Sequence, residues 1–353
     1  MRRPSVRPHR VTSREVAARA GVSRTTVSMV LNDPKVSAIG EETRARVLEA
    51  AAQLGYTPNS AARVLVRGRT ETIGLVLSQP ELLTIDGFVP QLVLGISRVA
   101  EQLGYRMLFE TVHDPERSSA YLELVGGKRI DGLIVLNPRV EDGGLRRLID
   151  TGFPVVLVGT IRHPKEYSVN FHTGAAVRAL VDHLASLGHT RIAHLALSAP
   201  GPIATNARLV GFRRAMQLAG LEVDERLIAH GAYSAESGQG ATAELLRGGA
   251  RFSALFAGND TLALGAMAAL REHGLRVPED VAVVGFDDLP FSAFTNPPLT
   301  TVRNPGIAQG ELAAQKLLAL LRHEPVPERI SFIETALVVR GSCGAQLARR
   351  PPA

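Results

Sequence analysis

The chain has a single cysteine, Cys343, so no internal disulfide can form. A reducing cytoplasm fits that usage, although a cysteine-poor exported chain would look the same. No apolar run reaches the ~18 residues that a membrane helix needs, so no membrane partner is expected. Residues 1–10 are basic, but no apolar stretch follows them as a secretory signal requires, and export is not expected. Signatures of catalysis are also missing. There is no GxxxxGK[ST] phosphate loop and no HExxH. Gly95-Ile-Ser97 lacks the second glycine of a nucleophile elbow and reads as helix. His183, His189 and His194 lack a paired-ligand spacing with Cys or Glu, and most of the ten histidines read as surface or core-edge residues. No catalytic residue, no metal and no cofactor is expected.

What is present is enough chain for two or three domains: 353 residues, 45% of them hydrophobic and 21% charged. The charge is unevenly placed. Residues 1–72 hold 13 Lys+Arg against 6 Asp+Glu, a net of +7, while the remainder holds 27 against 28, a net of −1. A basic front on a neutral body reads as a polyanion-binding head on a carrier, the bland alternative being a solvated basic arm.

The front end has helical punctuation. Thr12 and Glu15 have capping-box spacing, Val16, Ala17 and Ala20 supply an apolar face, and Gly21 ends the helix. Ser23 then caps a second helix through Asn32, giving a helix-turn-helix with Ala17, Val22 and Val27 between the helices. Arg24, Thr25 and Ser28 project from the start of that second helix, the end that enters a major groove. Asp33-Pro34 ends it, since proline disfavours helix before it. A third helix over 41–54 closes at Gly55, and Asn59 is placed to cap a short fourth helix that has Leu65 near its end.

This stretch resembles the headpiece of the LacI/GalR family of bacterial regulators. The residues that carry the likeness are Glu15-Val-Ala, Ala20-Gly-Val-Ser23, Thr26-Val-Ser28, Leu31-Asn32, Thr43-Arg44, Leu54-Gly-Tyr56 and Pro58-Asn59. The resemblance implies an operator-contacting set of Thr12, Ser23, Arg24, Thr25, Thr26, Ser28, Met29, Asn32, Tyr56, Asn59 and Leu65. It casts Leu65 as a wedge that kinks the minor groove, the alternative being packing against the body. Two features depart from the family. Met29 stands where relatives often have arginine, so it offers contact to a thymine methyl or plain packing instead of a fork for guanine. The loop Ser37-Ala-Ile-Gly40 is longer than usual.

From residue 72 onward, short apolar β-rich runs alternate with amphipathic stretches. Strands are expected at 73–77, 107–109, 132–136, 155–158, 192–195, 227–231, 254–257 and 281–286. Helices are expected at 92–103, 175–187, 208–219 and 262–273. Continuous apolar strands each followed by a helix imply parallel sheets covered on both faces, here too many strands for one small sheet. Two facing Rossmann-like subdomains solve this, with ligand at the carboxyl ends of the strands.

The body is similar to the family's sensor domain, itself like periplasmic sugar-binding proteins. Its landmarks are Asp131-Gly-Leu-Ile134, Leu187-Gly-His189, Arg208-x-x-Gly-Phe212, Gly258-Asn-Asp260, Gly285-Phe-Asp-Asp288 and Pro298-Leu-Thr-Thr301. The implied effector set is Arg208, a fixed donor fork; Asp287, an acceptor for vicinal hydroxyls; Asn259, donor and acceptor; and Tyr233, a stacking face. Ser78 and Phe88 come from the near wall. Asp260 and Asp288 are open to a reading as caps of helices or turns. Where relatives often read Asn-Pro-Phe-Phe, this chain has Ile85-Asp-Gly-Phe-Val-Pro90, and Val169-Asn-Phe-His-Thr173 replaces a frequent Asp pair.

The fold expected is thus an all-α helix-turn-helix headpiece plus an α/β periplasmic-binding-protein-like sensor domain of two Rossmann-like subdomains. A basic arm spans 1–10, the helix-turn-helix 11–58, a hinge helix and linker 59–71, the two-lobed effector-binding and dimerisation domain 72–340, and a frayed tail 341–353. Crossings between lobes are expected near 169–173, Pro290 and Ser331, and a helix over 305–322 returns to the first lobe. The resemblance implies a repressor more than an activator, with three partners: double-stranded operator DNA, a small-molecule effector (a sugar or related metabolite) and a second copy in a homodimer. A free-standing sugar-binding protein is the alternative that the body alone would allow.

Overall fold

In the computed structural model, residues 11–32, 39–56, 68–79, 82–111, 120–197 and 203–346 are described. The expected basic arm, most of the hinge with Asn59 and Leu65, residues 33–38 including Ser37 and Ala38 of the long loop, and 347–353 of the expected tail lie outside them. The chain divides into two units, Met1–Thr70 and Glu71–Ala353.

The first unit is a three-helix head: α1 Ser13–Ala20, α2 Arg24–Asn32 and α3 Glu41–Leu54. The Thr12 N–H donates to the Glu15 carboxylate at 2.7 Å, and Gly21 takes the left-handed conformation at φ 64° that closes α1. The turn into α2 is fixed when the Thr26 N–H donates to Ser23 Oγ at 3.1 Å. Val16, Val27, Val30 and Val47 form the centre of a small core, with Tyr56 packed at its edge.

The second unit holds two sheets. The first runs β11-β5-β4-β3-β1-β2, with β1 Thr72–Leu77, β2 Arg106–Thr111, β3 Gly132–Leu136, β4 Val155–Val158, β5 Tyr167–Phe171 and β11 Ile330–Ile333. All its pairings are parallel. The second runs β12-β10-β9-β8-β6-β7, with β6 Ile192–Leu197, β7 Ile228–Gly231, β8 Ala254–Ala257, β9 Ala282–Asp287, β10 Thr300–Arg303 and β12 Ala336–Val338. It is parallel except for the antiparallel edge strand β12. The central strands are buried along nearly their whole length, as expected for sheets covered on both faces.

Helices flank both sheets. In the first lobe these are α4 Leu82–Ile85, α5 Phe88–Gln102, α6 Ala120–Gly126 and α7 Gly143–Asp150. The second lobe has α8 Thr173–Ser186, α9 Ile203–Leu218, α10 Ala235–Arg247 and α11 Asp260–Glu272. The last long helix, α12 Gly306–Leu321, packs on α5 and on β3 to β5 in the first lobe. It comes close because a Cβ at Gly95 would overlap the Ile307 carbonyl, and one at Gly310 the Leu92 carbonyl. No helix among the described residues is long and apolar enough to cross a membrane.

The chain passes between lobes at three places: between β5 and α8, between β10 and α12, and between β11 and β12. The second passage is therefore near 304–305 and not near Pro290, because β10 still pairs with β9 in the second sheet. The start of the expected tail is also corrected. The Thr300 N–H donates to Ser342 Oγ at 2.8 Å, Ser342 Oγ donates to the Val283 carbonyl at 2.6 Å, and Cys343 is fully buried. These hydrogen bonds tie 342–343 into the second lobe, so fraying does not begin at 341.

Candidate ligand cleft and nucleic-acid interface

A cavity of about 330 Å³ opens between the two lobes of the second unit. That is within the range of small-molecule sites. Asp86, Phe88 and Asn137 line it from the first lobe, and Arg208, Tyr233 and Asp287 from the second. Phe171, Thr173 and Asn304 line it from the passages between them.

Asp287 ends β9 in an unusual backbone conformation, φ 109°. A non-glycine residue there carries strain that surrounding contacts must hold, a common device at ligand sites. The contacts here are specific. Asp287 Oδ1 accepts from Arg208 Nη2 at 3.1 Å and from Asn304 Nδ2 at 3.2 Å. Arg208, on α9, also donates through Nη1 to the Gly258 carbonyl at 2.6 Å, and its guanidinium lies 4.1 Å from the centre of the Phe286 ring. Both charges are buried, at 7% and 3% exposure. Burial pushes the Asp287 carboxyl up from its ordinary range, against the pull of Arg208 and Asn304. Burial likewise raises the Tyr233 phenol.

Neighbouring landmarks hold this arrangement. Asp260, fully buried at the start of α11, accepts from the Leu289 N–H at 2.7 Å, Ser292 Oγ at 2.6 Å and Thr301 Oγ1 at 2.5 Å. It fixes the turn that follows Asp287. Gly285 is required beside it, since a Cβ there would overlap Asp260 Oδ1. Asp288 pairs with Arg303 at 2.7 Å and Arg340 at 2.6 Å. Both acids are structural, although each holds more than the turn or cap that its position implied.

Of the six expected cleft residues, Phe88, Arg208, Tyr233 and Asp287 come together around the cavity. Ser78 and Asn259 are not among its lining. Ser78 is buried at the end of β1, its N–H donating to the Leu136 carbonyl at 3.4 Å. Asn259 is fully buried and caps α11, its Oδ1 accepting from the Leu262 N–H at 2.8 Å.

Residues that went unnamed complete the cleft. Asn304 and Gln309 are 2% and 3% exposed, and both line it. Asn304 Oδ1, Gln309 Oε1 and Arg208 Nε are buried with no hydrogen-bond partner. An orphaned buried polar atom costs about 1–3 kcal/mol, so three around one cavity mark a place for a polar ligand. Asp86, 6% exposed, accepts the Phe88 N–H at 3.0 Å through Oδ1. Its carboxyl is raised to about 7, first by burial and then by the charge of Asp287, against the Phe88 N–H and Arg208. The sequence did contain a signal for some of these. The two stretches that depart from the family pattern, at 85–90 and 169–173, supply Asp86 and Phe88, and Asn170, Phe171 and Thr173, to the lining.

Among the described residues, no histidine lines this cleft. His194 is fully buried between the Phe212 and Phe256 rings, 4.7 and 4.5 Å away, with Nδ1 2.9 Å from the Phe256 carbonyl. A carbonyl only accepts, so Nδ1 carries the proton. Burial lowers the ring to about 4 and keeps it neutral.

In the head, α2 buries Val27 and Val30 and exposes Ser23, Arg24, Thr25, Ser28 and Met29 at and along its first two turns. Met29 is 45% exposed, so it is not core packing. Thr26 is half-buried, held by its N–H bond to Ser23, and Thr12 is engaged at the start of α1. Tyr56 is half-buried against the head core, and Asn32 is the last residue of α2. An outward polar face at the N-terminal end of the second helix is the geometry with which such motifs meet base edges.

The comparisons agree with both units. A family model for bacterial regulatory proteins of the lacI family matches residues 12–59, and one for a periplasmic binding protein-like domain matches 181–343. The HTH-type transcriptional regulator CelR of Thermobifida fusca is 36% identical over 347 residues, 95% of this chain and 99% of that one. The HTH-type transcriptional repressor PurR of Klebsiella pneumoniae (strain 342) is 33% identical over 340 residues, 94% and 96% of the two chains. Among solved structures, the lac repressor dimer bound to operator and the anti-inducer ONPF superposes with a TM-score of 0.85 at 31% identity, covering 95% of this chain and 99% of that one. The CelR–cellobiose complex gives a TM-score of 0.71 at 33% identity, covering 94% and 100%.

Proposed function

The chain belongs to the LacI family of bacterial regulatory proteins, and on that footing we propose that it is a homodimeric repressor whose operator affinity is set by a sugar or related metabolite held in the interlobe cleft. Its place of work is the cytoplasm, and it binds without catalysing. Its relatives CelR and PurR are transcriptional regulators.

The observation that carries the effector part is the cluster of orphaned polar atoms, Arg208 Nε, Asn304 Oδ1 and Gln309 Oε1, around a cavity of ligand size. Such atoms leave the cleft short of partners until a hydroxyl-bearing molecule enters. Arg208 and Asp287 hold its hydroxyls, while Phe88 and Tyr233 cover its apolar faces. The CelR structure is a complex with cellobiose, which supports a sugar here.

On the DNA side, Arg24, Thr25, Ser28 and Met29 read the major groove, with Thr12, Ser23, Thr26, Asn32, Tyr56 and Asn59 as supporting contacts. Leu65 of the hinge wedges into the minor groove at the operator centre. Two copies present two such helices to two half-sites. The lac repressor neighbour is a dimer on its operator. Effector binding favours one arrangement of the lobes, which changes the spacing of the paired hinges and hence operator affinity. Linkage makes this reciprocal: operator changes effector affinity by the same factor.

The test is selection of an operator from random duplex with the full-length protein, followed by fluorescence anisotropy with and without sugars that raise its melting temperature. Expected are a sequence preference over random duplex and an affinity that changes with effector. Binding without sequence preference, with or without any such sugar, would refute the reading.

A further inference from the structure

We infer that Asp86 sets the charge class of the effector: the cleft takes an uncharged, hydroxyl-rich ring and excludes its carboxylated or phosphorylated counterparts. This rests on the cleft being the effector site, as proposed above.

The argument starts from a count of charges on the cavity wall. Among the described residues lining it, Asp86 and Asp287 are the acids and Arg208 is the only cation. Arg208 is already engaged by the protein, with Nη1 on the Gly258 carbonyl and Nη2 on Asp287. Its Nε has no partner in the protein, and each terminal nitrogen keeps a second N–H. Asp86 uses Oδ1 for the Phe88 N–H, and among the described residues no donor meets its other oxygen. Both remaining orphans, Asn304 Oδ1 and Gln309 Oε1, are acceptors. The wall therefore carries two carboxyl groups against one guanidinium, with unpaired acceptors on Asn304 and Gln309. Hydroxyls donate into such a wall, whereas a carboxylate or phosphate brings acceptors to acceptors and charge to like charge, in a place where water screens little.

Asp86 is the residue on which this turns, because the ion pair of Arg208 is made with Asp287. The charged groups that face Asp86 are Asp287 and Arg208, both from the opposite lobe. The raised Asp86 carboxyl reports the same crowding, its first cause being burial and its second the charge of Asp287. Phe88 and Tyr233 supply the apolar faces that suit a ring.

The test uses the full-length protein at pH 8, above the value of about 7 to which the Asp86 carboxyl is raised. The probes are matched rings: glucose with glucuronate and glucose 6-phosphate, and cellobiose with its C6-oxidised uronate. Binding is read by isothermal titration for every probe that moves the melting temperature of wild type, Asp86→Asn or Asp86→Ser. Either replacement keeps an oxygen for the Phe88 N–H while removing the charge. In wild type the uncharged member of a pair is expected to bind at least tenfold more tightly than its anionic partner. In both variants the gap should close to threefold or less, the anion gaining while the uncharged sugar loses.

An anion that binds wild type as tightly as its neutral partner, or a gap unchanged in both variants, would each overturn the inference and leave the cleft as effector site standing. No response to any probe from any of the three proteins would take down both.

Discussion

Replacing Asp86 by asparagine should stabilise the ligand-free protein, and only at neutral and alkaline pH. The side chain is 6% exposed, and its carboxyl is raised from 3.8 to about 7. That displacement corresponds to about 4 kcal/mol of preference for the protonated form. The sign follows from linkage. The folded value lies above the unfolded one, so the stability associated with the proton is complete below pH ~4 and is lost as pH rises through about 7. Asparagine cannot ionise, so the variant escapes the loss while its amide oxygen still accepts the Phe88 N–H.

Relaxation of the cleft and entry of water shrink the difference, and about 2 kcal/mol is a reasonable expectation above pH 7. For a unit of this size that is a rise of several degrees in melting temperature. Differential scanning calorimetry of wild type and Asp86→Asn, at one scan rate and in steps from pH 4 to 8, measures it directly. The two curves should coincide at pH 4, separate through pH 5–7 and run parallel beyond. A variant that is less stable at pH 8, or a difference that ignores pH, would refute the account of Asp86 as a buried, uncompensated charge.

Three further outcomes are expected. Arg208→Ala should weaken effector binding at least a hundredfold in isothermal titration and lower body stability by about 3–5 kcal/mol, because Asp287 is left buried without its cation. Gly285→Ala should cost about 2–4 kcal/mol by calorimetry, since the added methyl displaces the Asp260 carboxylate from its three donors. Leu65→Ser should weaken operator binding at least tenfold by anisotropy while the head keeps its circular dichroism spectrum; unchanged affinity would remove the wedge.

Much of this architecture was legible in the residues. Runs such as Ile73–Leu77 and Gly132–Leu136 are apolar without alternation because both faces of their strands are covered, and they read directly as buried parallel strands. Short α6 and α7 were missed, being little longer than two turns, where helical periodicity has no room to repeat. So were the edge strands β11 and β12, which are partly exposed and lack the apolar run of their central neighbours.

The cleft divides in the same way. Arg208 and Asp287 stand in recognisable local patterns. Asn304 and Gln309 do not, because their role exists only once α12 has returned to the first lobe. Asn259 shows the converse: its side-chain chemistry suits a ligand, but a cap position three residues before Leu262 claims its oxygen.

The three passages between the lobes are short, with a single residue, His172, separating β5 from α8 and only Glu334 and Thr335 separating β11 from β12. Such a seam lets the halves pivot but leaves little slack for sliding. Phe171, Thr173 and Asn304 sit on it and also face the cavity. An occupant of the cleft thus bears on the axle as well as on the jaws, so a change of a single hydroxyl near Asn304 could alter the angle of closure without altering how much of the molecule is held.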